Sequence, residues 1–237
     1  MKLSAPIYRL KHQAKQLARQ ANIPLHTALD RVARQEGYSR WSLLAAKHAD
    51  AGPATRLFPK LRPGELMLLG ARPGQGKTLL GLEIVAEAIR QGTPSWVFSL
   101  EETEETLAAR FRDLGLDTGR FDGLLNLDCS DAITAAHIVG RLEDAPRGTL
   151  VLVDYLQLLD QRRETPPLAE QVRTLKVYAE ERGHVVICLS QIDRRYDAER
   201  KPCPDIRDVR LPNALDVALF DKSCFLQNGK VQLSPSP

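Results

Sequence analysis

ARPGQGKT, residues 71–78, lies between an apolar run, ELMLLG at 65–70, and a run of helical character from Leu79 to Arg90. A glycine-rich turn that leaves a buried strand and opens a helix aims backbone N–H groups and a helix N-terminus at one point, which suits a polyphosphate. Gly74 and Gly76 admit backbone angles closed to other residues and leave room for phosphate oxygens. Lys77 reaches the β- and γ-phosphates as a point charge, and the Thr78 hydroxyl suits Mg²⁺. Ala71 stands where the strict pattern has glycine, but the strand before and the helix after carry the reading. Ala71, Arg72, Pro73, Gly74, Gln75, Gly76, Lys77 and Thr78 are therefore the expected cradle of a nucleoside triphosphate, against the plainer alternative of an ordinary Gly-Pro turn.

A chain of 237 residues holds one domain with a full core and a small appendage. Hydrophobic content of 43% and charged content of 27% are those of a globular protein. No apolar run approaches the ~18 residues needed to span a bilayer, and MKLSAPIYRLKHQAKQ lacks the apolar centre of a signal peptide, so a cytoplasmic location and no membrane partner are expected. Cys129, Cys188, Cys203 and Cys224 form no CxxC pair, which speaks against zinc or a disulfide framework. The net charge of +3 is uneven: residues 1–50 carry nine Lys/Arg against three Asp/Glu, leaving 24 against 27 in the rest.

Ile7, Leu10, Ala14, Leu17 and Ala21 step by three and four, as an amphipathic helix does. A second helix fits Leu25 to Gln35 and a third Ser39 to His48, so residues 1–50 are expected to form a basic helical head. Residues 51–57 have the composition of a linker, and 58–237 change to apolar runs alternating with helical ones. Strands are expected at Leu66–Gly70, Ser95–Leu100, Leu124–Asp128, Thr149–Val153 and Val185–Ser190, with helices near 77–91, 103–113, 131–143 and 168–182. Short apolar strands separated by helices predict an α/β fold whose mostly parallel sheet is covered on both faces, with the ligand at the carboxyl ends of the strands. Asn228-Gly229 between Val217–Gln227 and Lys230–Leu233 is a hairpin turn signal.

Three further strand ends would meet the loop. Asp154 follows LVLV at 150–153, where a carboxylate can hold Mg²⁺; a turn or capping aspartate is the plainer alternative. Glu101 follows the strand from Ser95 and is placed to accept a proton from water attacking the γ-phosphate, with Glu102 as its rival. Gln191 closes LSQ at 189–191, where an amide can sense the γ-phosphate. The segment IDRRYDAERKP at 192–202 follows; its arginines are either a solvated loop or phosphate-backbone contacts.

ARPGQGKT, FSLEET (98–103), LVDYLQLL (152–159), VRTLKVYAEERG (172–183) and VVICLSQIDRR (185–195) together resemble the RecA-fold motor domain of DnaB-type replicative helicases. PDIRD (204–208) and DVALF (216–220) are similar to the segment after that family's DNA-binding loop. The resemblance covers roughly residues 58–222, and the alanine that opens the loop matches the DnaB-like form. It implies a RecA-like P-loop NTPase that binds and hydrolyses ATP, with Lys77 and Thr78 on phosphate and metal, Asp154 on Mg²⁺, Glu101 as catalytic carboxylate and Gln191 as γ-phosphate sensor. It also implies Arg194, Arg195 and Arg207 as contacts to single-stranded DNA, and a homo-oligomer, since this fold usually builds its ATP site between subunits.

Two departures stand beside the matches. A fifty-residue basic head takes the place of the family's large collar and linker helix, and FDKSCFLQNGKVQLSPSP has Lys222 but no arginine where the family carries a lysine-and-arginine element reaching the neighbour's site. These leave two functions in view: a DNA-dependent motor, and an ATP-dependent switch, loader or regulator acting on a protein partner. The head is either a nucleic-acid or acidic-partner surface or the wet face of a helical cap packed through Leu17, Leu29 and Trp41. A small-molecule kinase is disfavoured, because no arginine-rich lid is visible.

Overall fold

The computed structural model describes residues 4–5, 7–47, 52–116, 123–159, 165–210 and 215–235, in two units divided at Gly52/Pro53. The first unit holds three helices, α1 (Ile7–Gln20), α2 (Leu25–Gln35) and α3 (Trp41–Lys47). Leu10, Ala14, Ala28, Val32, Ala33 and Leu44 form its core, with Leu17, Leu29 and Trp41 packed against it. The third helix begins at Trp41 rather than Ser39. Its first N–H is already engaged by the Asp30 carboxylate at 2.9 Å, and the Arg40 carbonyl accepts from Leu43 and Leu44. His48, expected at its end, lies outside the described residues.

Residues 53–57, read from composition as linker, instead form α4 (Pro53–Leu57). Proline suits a first helical position, where its missing N–H costs nothing, and Ala54 and Leu57 are buried beside the next helix. Position 51 lies outside the described residues.

In chain order the second unit continues β1 (Leu66–Ala71), α5 (Lys77–Arg90), β2 (Ser95–Ser99), α6 (Glu104–Asp113), β3 (Leu125–Asp128), α7 (Ala135–Arg141), β4 (Leu150–Asp154), α8 (Leu168–Arg182), β5 (Val185–Gln191), β6 (Lys222–Gln227) and β7 (Lys230–Pro235). The seven strands form one sheet in the order β3-β2-β4-β5-β1-β6-β7, parallel except for β7. This is the mostly parallel, helix-covered sheet expected from the alternation of apolar runs and helices. Along β1 and β5 successive side chains enter opposite layers: Met67, Leu69, Ile187 and Leu189 pack with α4, α5 and α6, while Leu66, Leu68, Val186 and Cys188 pack with α7 and α8. Because both faces are covered, the strands read as continuous apolar runs.

Two element starts differ from the sequence reading. The helix expected from 131 begins at Ala135, because Asp128 and Ser130 hold the chain in turns before it and the Thr134 hydroxyl caps it from outside, accepting from His137 N at 3.2 Å. The strand expected from Val217 begins at Lys222, because the Asp216 carboxylate accepts from Ala218 N at 3.0 Å and bends Val217–Leu219 into a 3-10 turn. At the hairpin, Asn228 and Gly229 both take positive φ, 49° and 74°, as a two-residue turn joining twisted strands requires.

His184, at the amino end of β5, is fully buried with neither ring nitrogen hydrogen-bonded, against the Tyr178 ring. Burial, then the charges of Arg182 and Arg147, hold its pKa below 6.5. The folded state therefore binds this proton less readily than the unfolded chain, so stability is full above about pH 6.5 and falls as pH drops below it. We expect His184→Phe to flatten this acid slope in melting temperature between pH 7 and pH 5; an unchanged slope would assign the acid sensitivity elsewhere.

Candidate functional site

The loop leaves β1 at Ala71 and enters α5 at Lys77. Gly74 and Gly76 have φ of 77° and 89°, a region costly for other residues, and Gly76 precedes the first helical residue. The first-turn N–H groups of α5 have no intrahelical acceptors, an arrangement that favours negative charge at this end of the helix. Further along the helix, Gly81 lets α5 lie close on the sheet; a Cβ there would come within 3.1 Å of Leu152 and 3.3 Å of Leu189. This close packing sets the height of Lys77 and Thr78 over the strand ends. On its other side the loop is tied to the hairpin, since Asn228 N donates to Gln75 Oε1 at 2.8 Å.

Asp154 is the last residue of β4 and is 2% exposed. Its carboxylate accepts from Lys77 Nζ at 3.0 Å and from Thr78 Oγ1 at 2.9 Å. Lys77 Nζ also lies 4.6 Å from the centroid of the Tyr155 ring.

Strand order explains how Glu101 comes near this group. β2 pairs with β4 so that Ser99 stands level with Asp154, and Leu100 N donates to the Asp154 carbonyl at 3.0 Å. The chain then turns on Ser99, whose hydroxyl accepts from Glu101 N and Glu102 N. Glu101 is exposed as a residue, yet partial shielding first and the Asp154 carboxylate second push its pKa up, with Lys77 pulling the other way. Glu102 is turned to Arg110 Nε at 2.6 Å. Of the two rival carboxylates, one is thus engaged by an arginine and the other senses Asp154 and Lys77.

Gln191 ends β5, which lies between β1 and β4, and is in register with Ala71. Lys77, Thr78 and Asp154 are in direct contact, Gln191 ends the neighbouring strand β5, and Glu101 lies in the turn two residues past the end of β2. Arg194, Arg195 and Arg207 belong to the loop that follows β5, apart from this cluster. That loop closes on itself through an Ile192–Val209 bridge, with Asp193 N on the Asp208 carbonyl at 2.7 Å and Arg210 N on the Gln191 carbonyl at 2.8 Å. Arg195 and Arg207 are 91% and 82% exposed at the side chain, each bonded to the aspartate two residues before it, and Arg194 is exposed. Lys222 is paired with Met67 near the amino end of β1, away from the loop, and bonds Glu65 and the Lys60 carbonyl.

Ser99, Arg110, Tyr155 and Gln157 join the surroundings of the site without a motif to mark them. The signal for Gln157 was present as a lone amide in the apolar run LVDYLQLL; the Arg110–Glu102 pairing, eight residues apart across a turn, had none.

The sheet order, with β5 inserted between the loop strand and the Asp154 strand, defines a RecA-like phosphate-loop fold. Residues 56–115 and 124–217 match the DnaB-like helicase C terminal domain, and the chain belongs to that family. It is 31% identical over 181 residues to the replicative DNA helicase DnaB of Synechocystis sp., aligning 63% of this chain with 21% of that protein. It is also 31% identical over 191 residues to the DnaB of Buchnera aphidicola subsp. Schizaphis graminum, aligning 66% with 41%. The chain thus spans well under half the length of these relatives. Among solved structures, one of an isolated ATPase domain superposes with a TM-score of 0.58 at 22% identity, covering 79% of this chain and 81% of that one. A DnaB-like replicative helicase studied with primase gives 0.60 at 20% identity, covering 92% and 65%.

Proposed function

We propose that this chain is an ATP-hydrolysing motor of the DnaB-like kind that acts on single-stranded DNA as a homo-oligomer. The observation that carries the reading is the contact of Lys77 and Thr78 with the buried Asp154, with Glu101 two residues past the strand end level with it. Family membership and the replicative-helicase names of its relatives support the same reading.

Lys77 would leave Asp154 to hold the β- and γ-phosphates, and the backbone N–H groups of 74–78 would cradle them. Thr78 and Asp154 are hard oxygen donors 2.9 Å apart, a donor set that fits Mg²⁺. When bound, Mg²⁺ would neutralise charge on the β- and γ-oxygens. Glu101 would take a proton from the attacking water, for which a raised pKa is an advantage, and Gln191 would register the γ-phosphate through its amide. Arg194, Arg195 and Arg207 would meet the DNA backbone, the last two by exchanging their aspartates for phosphate. The basic head, the helical unit ahead of the unit that begins at Pro53, would recruit a protein partner. A cytoplasmic site of action belongs to the same reading; among the described residues no helix is long and apolar enough to cross a membrane.

A second reading, an ATP-driven switch or loader that does not unwind DNA, is favoured by Lys222, whose ammonium is engaged by Glu65 and the Lys60 carbonyl and so is not presented to a neighbour. ATPase rates across a range of protein concentrations, with and without single-stranded DNA at low salt, separate the two. The motor predicts DNA stimulation that grows with assembly; a rate indifferent to DNA and to concentration would reject it in favour of the switch.

A further inference from the structure

We propose that Gln157 is the positioning residue that couples the Gln191 strand end to the arginine-bearing loop 192–210; this rests on the nucleotide reading of the site. Gln157 lies in the 3-10 turn Leu156–Leu158, three residues after Asp154, and is 9% exposed. Its Nε2 donates to Ser190 Oγ at 2.7 Å and to the Arg210 carbonyl at 2.7 Å, with the Gln191 carbonyl a weaker third acceptor at 3.4 Å. Its Oε1 accepts from Gln191 N at 3.3 Å.

The partners fix the amide's orientation. Reversed, Oε1 would face the Arg210 carbonyl and Nε2 would face the Gln191 N–H, like against like. One buried amide therefore holds three segments at once: the turn after β4, the tip of β5, and the returning arm of the loop. Arg210 N in turn donates to the Gln191 carbonyl, so the ring closes.

Burial of a polar side chain requires partners, and four groups drawn from the surroundings would satisfy that requirement anywhere. Here the four come from the segments on either side of the loop that carries Arg194, Arg195 and Arg207. A backbone shift at Gln191, on binding a γ-phosphate, cannot leave the Gln157 amide unmoved, and the amide cannot move without drawing Arg210 with it. Breaking the amide should leave nucleotide binding intact and disconnect the loop from it, because Gln157 touches none of the residues in the phosphate loop that are expected to hold nucleotide.

The test is amide hydrogen exchange of peptides covering 192–210, with and without a nonhydrolysable ATP analogue and Mg²⁺, in the whole chain. Nucleotide affinity is measured in parallel with a fluorescent analogue. Wild type should show a nucleotide-dependent change in loop exchange. Gln157→Met, which keeps the shape, and Gln157→Glu, which keeps the acceptor but loses both donors, should bind nucleotide with wild-type affinity and lose that change, along with DNA stimulation of ATPase. Ser190→Ala, which removes one bond only, guards against a Gln157 variant that fails to fold and should weaken the response. A Gln157→Met variant that still transmits would reduce the residue to space-filling and overturn the proposal, as would a wild-type loop that ignores bound nucleotide. Absence of nucleotide binding in wild type would overturn the functional reading itself, a distinct result.

Discussion

Glu101→Gln is expected to lower the ATP turnover number by about 10²–10⁴-fold, the range that a positioned general base supplies, while nucleotide affinity is essentially unchanged. The amide keeps the size of the side chain and its place two residues beyond the strand end level with Asp154. It removes only the capacity to accept a proton. Glu102→Gln should instead leave turnover near wild type and forfeit the ion pair to Arg110, whose side chain is 45% exposed, at about 0.5 kcal/mol after solvent screening. The pH profile gives a second check. Since partial burial and then Asp154 raise the Glu101 pKa, the ionised form needed by a base is lost as pH falls through a value above its ordinary one. The acid limb of the rate profile should therefore disappear in Glu101→Gln and persist in Glu102→Gln. Equal turnover in wild type and Glu101→Gln would remove the residue from the mechanism.

The fold was legible because the sheet is buried on both faces: LMLL at 66–69 and VVICL at 185–189 are continuous apolar runs too short for buried helices and bounded by turn residues, as interior strands are. Less legible were the places where short polar side chains override propensity, as Asp216 does ahead of β6 and Thr134 ahead of α7. The linker assignment failed at 53–57 for a related reason. Gly-Pro-Ala-Thr reads as irregular by composition, yet Pro53 opens a helix whose Ala54 and Leu57 find a core that composition cannot show. At the site, residue types and strand ends could be read, but pairings could not. Nothing in the order Glu101-Glu102 says that Arg110 engages the second, and a lone Gln157 in an apolar run does not name the two segments it binds. Such information lies in how the chain turns back on itself, over eight residues for Glu102 and Arg110 and over more than thirty for Gln157 and its partners.

Lys77→Ala should abolish ATP turnover and, separately, destabilise the fold. The Lys77 and Asp154 side chains are 11% and 3% exposed, and their ion pair is 3.0 Å long. Removing one member of a buried pair strands the other charge, at roughly 3–5 kcal/mol. Thr78 still donates to Asp154 in the variant, which favours the lower end of that range. At roughly 2–4 °C per kcal/mol for a chain of this size, the expected fall in melting temperature is roughly 6–12 °C. Asp154→Asn placed on top of Lys77→Ala neutralises the stranded carboxylate, so the double variant should melt above Lys77→Ala alone while remaining without turnover. That reversal separates the two roles of the pair: stability returns when the charge is removed, whereas catalysis does not, because the phosphate has lost its cation and the metal its carboxylate. If Lys77→Ala instead melts with wild type, Asp154 has no energetic need of the lysine, and the contact between them contributes nothing to holding the loop over the strand ends.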